Sequence, residues 1–561
     1  MRIQLNEIES MRSTLTLFAA ASLLIVALFV IMIVYGARRN PPPVKGTNGE
    51  EVSSLTVYCA AGMRTAFEQV AAKYGDEFGI VVETNFDGSG KLASTISVAE
   101  QGDIYIAAST SYLYQAPDPD NSTVKPPKKP FIAEWAPLAS QRPVIIVRAN
   151  DGRAKDIKSI EDLLAANLRI GLADPDVAAV GRAARKALKG TGLWEKLWEA
   201  KLTSKGTVNE VANGVETESF DAGIVWDATA GQYPELRGIS IPNFEKDPKE
   251  IVVAVLKYSK APRRALHFMR YLTAKEKGLS EFKSLGYDVV DGDKWEETPE
   301  LLVYAGGLNR LAIAETIEEF EQREGVVVIT KYNGCGALVS EMKGISGGAA
   351  DPDLYFACDT TFMLQVSDRF PISFDVSSTE MVIVVSKEKQ KSLQIATLED
   401  LTKPGCRVGV TNPEISALGF LSKQLLEKHD LWDKIQANIA DQPATADQLM
   451  LQVVGGGLDA AIVYKANAVD QVDKGVVEIP IPDDDAYAIQ PIAVSPTSDH
   501  KYLATRLQDR IRSISSGKRF KTRGFNWLGP EEDNGGTKEP QPKEPAKPDT
   551  PSLKEPAAAT G

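Results

Sequence analysis

The strongest constraint on this chain is that its sequence occurs twice within itself. At an offset of 238 residues, IEDL at 160–163 meets LEDL at 398–401, and GLWEKL at 192–197 meets DLWDKI at 430–435. The same offset pairs DAGIVW (221–226) with DAAIVY (459–464), and FKSLGY (282–287) with FKTRGF (520–525). Nearer the start of each copy the offset is 246: VYC at 57–59 meets VYA at 303–305, and DGSGKL at 87–92 meets NGCGAL at 333–338. The eight-residue slip falls in APDPDNSTVKPPKKP, a Pro- and Lys-rich stretch that reads as a loop insertion in the first copy. A period this long is a whole domain, not a solenoid repeat, so two homologous domains are expected at 52–297 and 298–530.

Within a copy, strands alternate with helices. LTVYCAA reads as a strand and RTAFEQVAAKYGDEFG as a helix with Phe67, Val70, Ala71 and Tyr74 on one face. IVVETNF, DIYIAAS, RPVIIVRA and NLRIGLADP read as further strands. KLASTISVAEQG, SIEDLLAA (with Ser159 and Asp162 suited to its N-terminal cap) and VGRAARKALKGTGLW read as helices. This alternation predicts an α/β fold with a largely parallel sheet. The late strand DAGIVW and the closing helices PRRALHFMRYLTA and GLSEFKSLGY predict two lobes with a return crossing. Ligands of such sheets bind in the crevice at the carboxyl ends of the strands.

The flanks differ. Leu15 to Tyr35 form an unbroken 21-residue apolar run, long enough to span a bilayer at about 1.5 Å per residue. It ends in VYGARRNPPP without a small-x-small cleavage site, so it is read as an uncleaved signal anchor after a cytoplasmic segment at 1–14. Arg2 and Arg12 precede the run and Arg38 and Arg39 follow it, so charge does not decide the topology. A polar spacer occupies 36–51, and the Pro/Lys/Glu-rich segment 531–561 has too little apolar surface to offset its ordering entropy and is expected to be disordered.

A formal charge of −13 with no basic stripe excludes nucleic acid as a partner. Four cysteines (Cys59, Cys335, Cys358, Cys406) without a CxxC, and only three histidines (His267, His429, His500), point away from a disulfide framework, a zinc site or a His-based triad. No catalytic residue, metal or cofactor is implied.

Four turns per copy fall at strand-to-helix junctions. The first is CAAGMR (59–64) or AGGLNR (305–310), and the second is DGSG or NGCG. The third is ADPDVAAVG (173–181) or TNPEISALG (411–419). The fourth combines Thr207–Val208 with Trp226, or Thr445–Ala446 with Tyr464. Small residues at a helix entrance let orphan backbone N–H groups, at the positive end of the helix dipole, approach an anion. Gly-rich turns also simply close strands in any α/β protein, and both readings stand at this level.

The ordered series LTVYCAAGMRTAFEQVAAKY, IVVETNFDGSGKLASTI, GDIYIAAS, LRIGLADPDVAAVGRAARKAL, GLWEKL, DAGIVW and FKSLGY resembles the periplasmic molybdate-binding proteins of ABC transporters. The resemblance covers nearly all of each copy. It implies two tandem type II periplasmic-binding folds, each of two α/β lobes with a hinge, holding an oxyanion through hydroxyls and backbone N–H groups. Carried over by position, the ligand set is Gly62, Ser89, Val180, Val208 and Trp226 in the first domain. In the second it is Gly307 (or Leu308), Cys335, Leu418, Ala446 and Tyr464. The family's first-turn serine is thus Gly62 in the first copy and Gly307 or Leu308 in the second, its second-turn serine is Cys335 in the second, and its late tyrosine is Trp226 in the first. Each missing donor to a buried charged oxygen costs about 1.5–3 kcal/mol.

Cys335 is open to two readings, a reactive helix-entrance thiol near Cys358 or a tolerated small residue, the latter being the expectation. Asp103 and Asp353, each opening a strand, are expected to be structural. The function expected is that of a solute-binding protein anchored in the cytoplasmic membrane by residues 15–35, with both domains on the extracytoplasmic side. It would close around a small inorganic oxyanion or another small anion, with an ABC permease or a membrane signalling protein as partner. The rival expectation is a scaffold with two degenerate clefts; an enzyme would need a nucleophile–base or paired-carboxylate constellation that the sequence does not offer.

Overall fold

A computed structural model describes residues 54–113, 131–345, 351–469, 471 and 474–531. The apolar run at 15–35, the segments at 1–14 and 36–51 and the tail beyond Glu531 lie outside the described residues, as does the whole Pro/Lys-rich insertion at 116–130. Among the described residues no helix is long and apolar enough to cross a membrane. The described chain divides into two compact units, one taking residues up to Trp135 with Ser140–Met269, the other Ala136–Ala139 and the chain from Arg270 on.

In the first unit β1 (Ser54–Ala60) leads through a short 3-10 turn, Ala61–Met63, into α1 (Arg64–Phe78). The helix buries Ala66, Phe67, Val70 and Tyr74, a single face by their spacing, and stops at Gly79, whose φ of +69° suits a residue without a Cβ. Burying Phe67 or Tyr74 contributes about 1.5–3 kcal/mol each. β2 (Val81–Asp87), α2 (Ser89–Ala99) and β3 (Ile104–Ala107) follow. β4 (Ile132–Gln141) and β5 (Pro143–Arg148) cross from one lobe to the other, with Arg142 between them. The second lobe holds β6 (Ile170–Ala173), α3 (Ala179–Ala187), β7 (Lys201–Lys205), α4 (Val208–Glu216), β8 (Ala222–Trp226) and β9 (Leu236–Ile239). The chain then returns along β10 (Lys249–Leu256).

The first sheet includes, in order, β4-β10-β3-β1-β2, and the second is β7-β6-β8-β5-β9. β1 pairs parallel with β2 and β3, as expected, but β10 is antiparallel to β3, and β5 to β8 and β9. The sheets are therefore mixed, because the strands that cross between lobes run against the βα units. One predicted helix is also corrected. VGRAARKALKGTGLW ends at Ala187 and restarts at Leu193, since Gly190 and Gly192 adopt φ of +77° and +71°.

The second unit repeats the plan: β11 (Glu300–Gly306), α5 (Arg310–Glu324), β12 (Val327–Asn333), α6 (Cys335–Gly344) and β13 (Leu354–Phe356). Here one 14-residue strand, β14 (Ser373–Ser386), makes the whole crossing. β15 (Val408–Gly409), α7 (Ala417–Lys428), β16 (Ile439–Asp441), α8 (Ala446–Val454), β17 (Ala460–Tyr464), β18 (Val476–Pro480) and β19 (Tyr487–Val494) complete it. Residues 373–380 of β14 pair with β19 and residues 381–385 with β17, so the change of lobe falls at Glu380–Met381.

Register refines the repeat. Tyr58 pairs with Tyr105, and Tyr304 with Tyr355, so the offset grows from 246 to 250 before dropping to 238. The second copy thus has its own four-residue insertion before β13, and the slip of eight is a net value.

Asp103 and Asp353 hold the sheet ends. Asp103 accepts from Thr56 N–H (2.9 Å) and Ser259 Oγ (2.6 Å), and Asp353 accepts from Leu302 N–H (2.7 Å) and Ser498 Oγ (2.5 Å). All of these oxygens are committed within the fold, as a structural role requires.

Candidate functional site

The five first-domain positions come from five separate segments and line one cavity between the lobes. Gly62 lies in the Ala61–Met63 turn, and Ser89 opens α2. Val180 is the second residue of α3, Val208 the first of α4, and Trp226 the last of β8. The cavity has a volume of about 20 Å³, and its lining carries no Lys or Arg. That is room for about one water.

The donors are local products of the turns. Ser89 is 1 % exposed; its Oγ accepts from the Ala108 N–H at 3.1 Å, which leaves its own proton to donate. Its carbonyl accepts from Tyr105 Oη at 2.8 Å, fixing the helix entrance. α3 begins after Ala178 with no side-chain cap, so the Val180 N–H is an orphan of the first turn. At α4 the Thr207 hydroxyl and the Glu210 carboxylate form a capping box, which serves the N–H groups of Thr207 and Glu210 and not that of Val208, a residue of the cavity lining.

A Cβ on Gly62 would lie 3.0 Å from Val208 Cγ1, 3.4 Å from Thr229 Oγ1 and 3.6 Å from Trp226 Cδ1. Trp226, buried at β8, thus takes up the space next to the glycine. Gly88 is needed for closure, since a Cβ there would meet the carbonyls of Val177 at 2.6 Å and Gly206 at 2.9 Å. The lobes touch beside it through Gly90 N–H to Val177 O at 3.0 Å.

Sequence reasoning missed Asp87. Its carboxylate lines the cavity, accepts from Gly88 N–H at 2.8 Å and pairs with Lys91 Nζ at 2.5 Å. The signal was the acidic residue opening DGSG.

The second domain brings its corresponding residues together differently. Gly307 lies in the Gly307–Asn309 turn, Cys335 opens α6, Leu418 is second in α7, Ala446 opens α8 and Tyr464 ends β17. Closure is the same: a Cβ on Gly334 would lie 2.5 Å from Ile415 O, and Ala337 N–H bonds Ile415 O at 3.2 Å. Leu308, however, packs against the apolar cores of both lobes of this domain, and Leu418 and Tyr464 belong to one of those cores. The Tyr464 hydroxyl is buried without a hydrogen-bond partner, and its ionisation is pushed well up by burial and then by the neighbouring Cys358, Asp359 and Cys335. Cys335 Sγ lies 2.8 Å from Cys358 Sγ and accepts from the Cys358 N–H at 3.0 Å. The two sulfurs thus stand where the first domain has the Ser89 hydroxyl and Ala108, while the helix entrances at Leu418 and Ala446, like that at Val180, carry no side-chain cap. Among the described residues, no group of three or more His, Cys, Asp or Glu side chains could hold a metal ion.

The sequence model of the bacterial extracellular solute-binding proteins matches the chain twice, at residues 55–288 and 301–526. The molybdate-binding protein ModA of Mycobacterium tuberculosis H37Rv is 25 % identical over 261 residues, covering 45 % of this chain and 91 % of its own. ModA of Escherichia coli K12 is 25 % identical over 244 residues, covering 41 % of this chain and 91 % of its own. Among solved structures, the periplasmic molybdate-binding protein of Azotobacter vinelandii is 17 % identical, covers 40 % of this chain and 98 % of its own, and has a TM-score of 0.35. With both copies matched over almost their full length, the chain belongs to the family of bacterial extracellular solute-binding proteins, of which it carries two in tandem.

Proposed function

We propose that the first domain binds one small oxyanion and that the second domain's cleft does not. The observation carrying this reading is the convergence on one cavity of the Ser89 hydroxyl and the helix-entrance N–H groups at Val180 and Val208. Such neutral donors hold an oxyanion without a counter-charge. A tetrahedral anion carries four oxygens, each about the size of a water. A cavity of about 20 Å³ must therefore open to admit it, by parting the Gly90–Val177 bond and rotating the lobes about Arg142. In the second domain Leu308 fills the corresponding space and the serine is replaced by Cys335.

In this reading residues 15–35 anchor the chain in the cytoplasmic membrane with both domains on the extracytoplasmic side. The loaded first domain then delivers its anion to an ABC-type permease or a membrane sensor. Molybdate heads the list of ligands because the relatives named above are molybdate-binding proteins. The test is calorimetric titration of the full chain with molybdate, tungstate, sulfate and phosphate. One equivalent of anion bound per chain is expected; silence towards all four, or two equivalent sites, would overturn the reading.

A further inference from the structure

We propose that Cys335 and Cys358 form a reversible dithiol–disulfide site in the floor of the second domain's cleft. The inference is independent of which anion, if any, the first domain binds.

Three positions carry it together. Where the first copy has Ala60, Ser89 and Ala108, the second has Gly306, Cys335 and Cys358. The Ser89 oxygen and the Cys335 sulfur do the same local task, accepting the N–H of the residue that follows the neighbouring strand. In the second copy that residue brings a sulfur of its own, placed 2.8 Å from the first. This lies between an ordinary non-bonded contact and the roughly 2.05 Å of an S–S bond. Room for the pair exists only because residue 306 is glycine. A Cβ there would lie 2.1 Å from Cys358 Sγ and 2.8 Å from Cys335 Sγ. The alanine of the first copy, at the matching place, would collide with both sulfurs. The other two thiols, Cys59 and Cys406, are buried at separate places, Cys59 in β1 and Cys406 just ahead of β15.

Both thiols are reduced in this structure. Cys358 is the more accessible, at 6 % exposed against 0 % for Cys335, so it is the sulfur that meets a co-reactant when the lobes part. Its hydrogen bond with Cys335, followed by burial, holds its ionisation well above the usual thiol range, so the closed cleft protects it. The step is thiol–disulfide exchange with a small or protein disulfide RSSR. Cys358 as thiolate attacks one sulfur and expels RS⁻, giving a mixed disulfide. Cys335 then attacks Cys358 Sγ, forms the intramolecular bond and expels the second RS⁻. Two cysteine thiols become one disulfide, and RSSR, taking the two electrons and two protons, becomes two RSH. The new bond ties the entrance of α6 to the end of β13 and removes both thiols from the cleft.

The test is equilibration of the full chain in glutathione buffers of graded ratio, approached from reduced and from oxidised protein, then acid quenching, alkylation and peptide mapping. A Cys335–Cys358 cross-linked peptide, lighter by two hydrogens, should appear in one two-electron transition while Cys59 and Cys406 remain alkylated. Cys335→Ser and Cys358→Ala, which install the first copy's residues, should each abolish it with the circular dichroism unchanged. Four alkylated cysteines in the most oxidising buffer, or glutathione adducts without the cross-link, would overturn the proposal. Mapping of the unmutated chain decides the matter even if a variant misfolds.

Discussion

The Ser89 hydroxyl oxygen accepts the backbone N–H of Ala108 at 3.1 Å, which leaves its own O–H proton to donate at the cavity that Ser89 lines between the first domain's lobes. Replacing Ser89 by Ala removes a hydrogen bond to a charged oxygen and strands the Ala108 N–H. The expected loss is about 1.5–3 kcal/mol of binding, or roughly ten- to a hundredfold in Kd for the anion. Calorimetry reads this directly, and an unchanged Kd would remove Ser89 from the site.

Restoring the family's first-turn serine does not by itself restore a ligand. The Gly62 Cβ position is 3.0 Å from Val208 Cγ1, and Trp226 closes the other side. Gly62→Ser is expected to cost about 1–3 kcal/mol of stability through overpacking and to leave affinity no better. Combining it with Trp226→Tyr frees the space the indole fills, and the double variant should bind more tightly than either single one. Tm and Kd measured on the three variants form a double-mutant cycle; additive effects would show that the two positions are not coupled.

Asp87 places a carboxylate against an anion cavity, partly offset by Lys91 at 2.5 Å. The second copy shows that the charge is dispensable to the turn, because Asn333 Oδ1 accepts the Gly334 N–H at the same 2.8 Å as Asp87 Oδ1 does from Gly88. Asp87→Asn should therefore preserve the fold and tighten anion binding by about 1 kcal/mol, roughly fivefold, at low salt. The gain should shrink as ionic strength rises. Weaker binding in the variant would show that Asp87 contributes to the ligand shell.

Most of the fold was legible because repetition and periodicity are properties of the chain itself. The turns at Gly62, Ser89, Val180, Val208 and Trp226 could be aligned because each follows a strand and opens or adjoins a helix. What fills a cleft was not legible, since it depends on neighbours brought from far along the chain. Leu308 is an ordinary apolar residue in sequence, and only the fold shows that it packs against the cores of both lobes of the second domain. That Cys358 lies near Cys335 was readable from its place after the next strand, but the contact of the two sulfurs, and the glycine at 306 that makes room for it, needed the fold. The break at Gly190 was missed because helical periodicity ran on past it, while left-handed glycines ended the helix.

The two copies also differ deep in the first lobe, and this predicts a pH dependence. Where α1 ends with Phe78 beside Tyr74 and His267, α5 ends with Glu324, 2 % exposed, paired with Arg506 Nε at 2.7 Å and Nη2 at 3.0 Å. Burial raises the Glu324 carboxyl, but the guanidinium groups of Arg506 and of Arg270, whose Nη1 lies 3.2 Å from the same carboxylate, together with Arg323, hold the group below its usual range. A depressed carboxyl adds stability above its unfolded value, near 4.3, and that stability drains away as pH falls through the folded value. Glu324→Gln leaves both Arg506 and Arg270 buried without their shared counter-charge and should cost the second unit about 3–5 kcal/mol at neutral pH. It should also flatten the acid limb of the stability curve, because the titrating group is gone. Hydrogen exchange followed from pH 7 to pH 3 should show the loss in α5 and around Arg506. A variant that retains the steep acid limb would show that another carboxylate governs it.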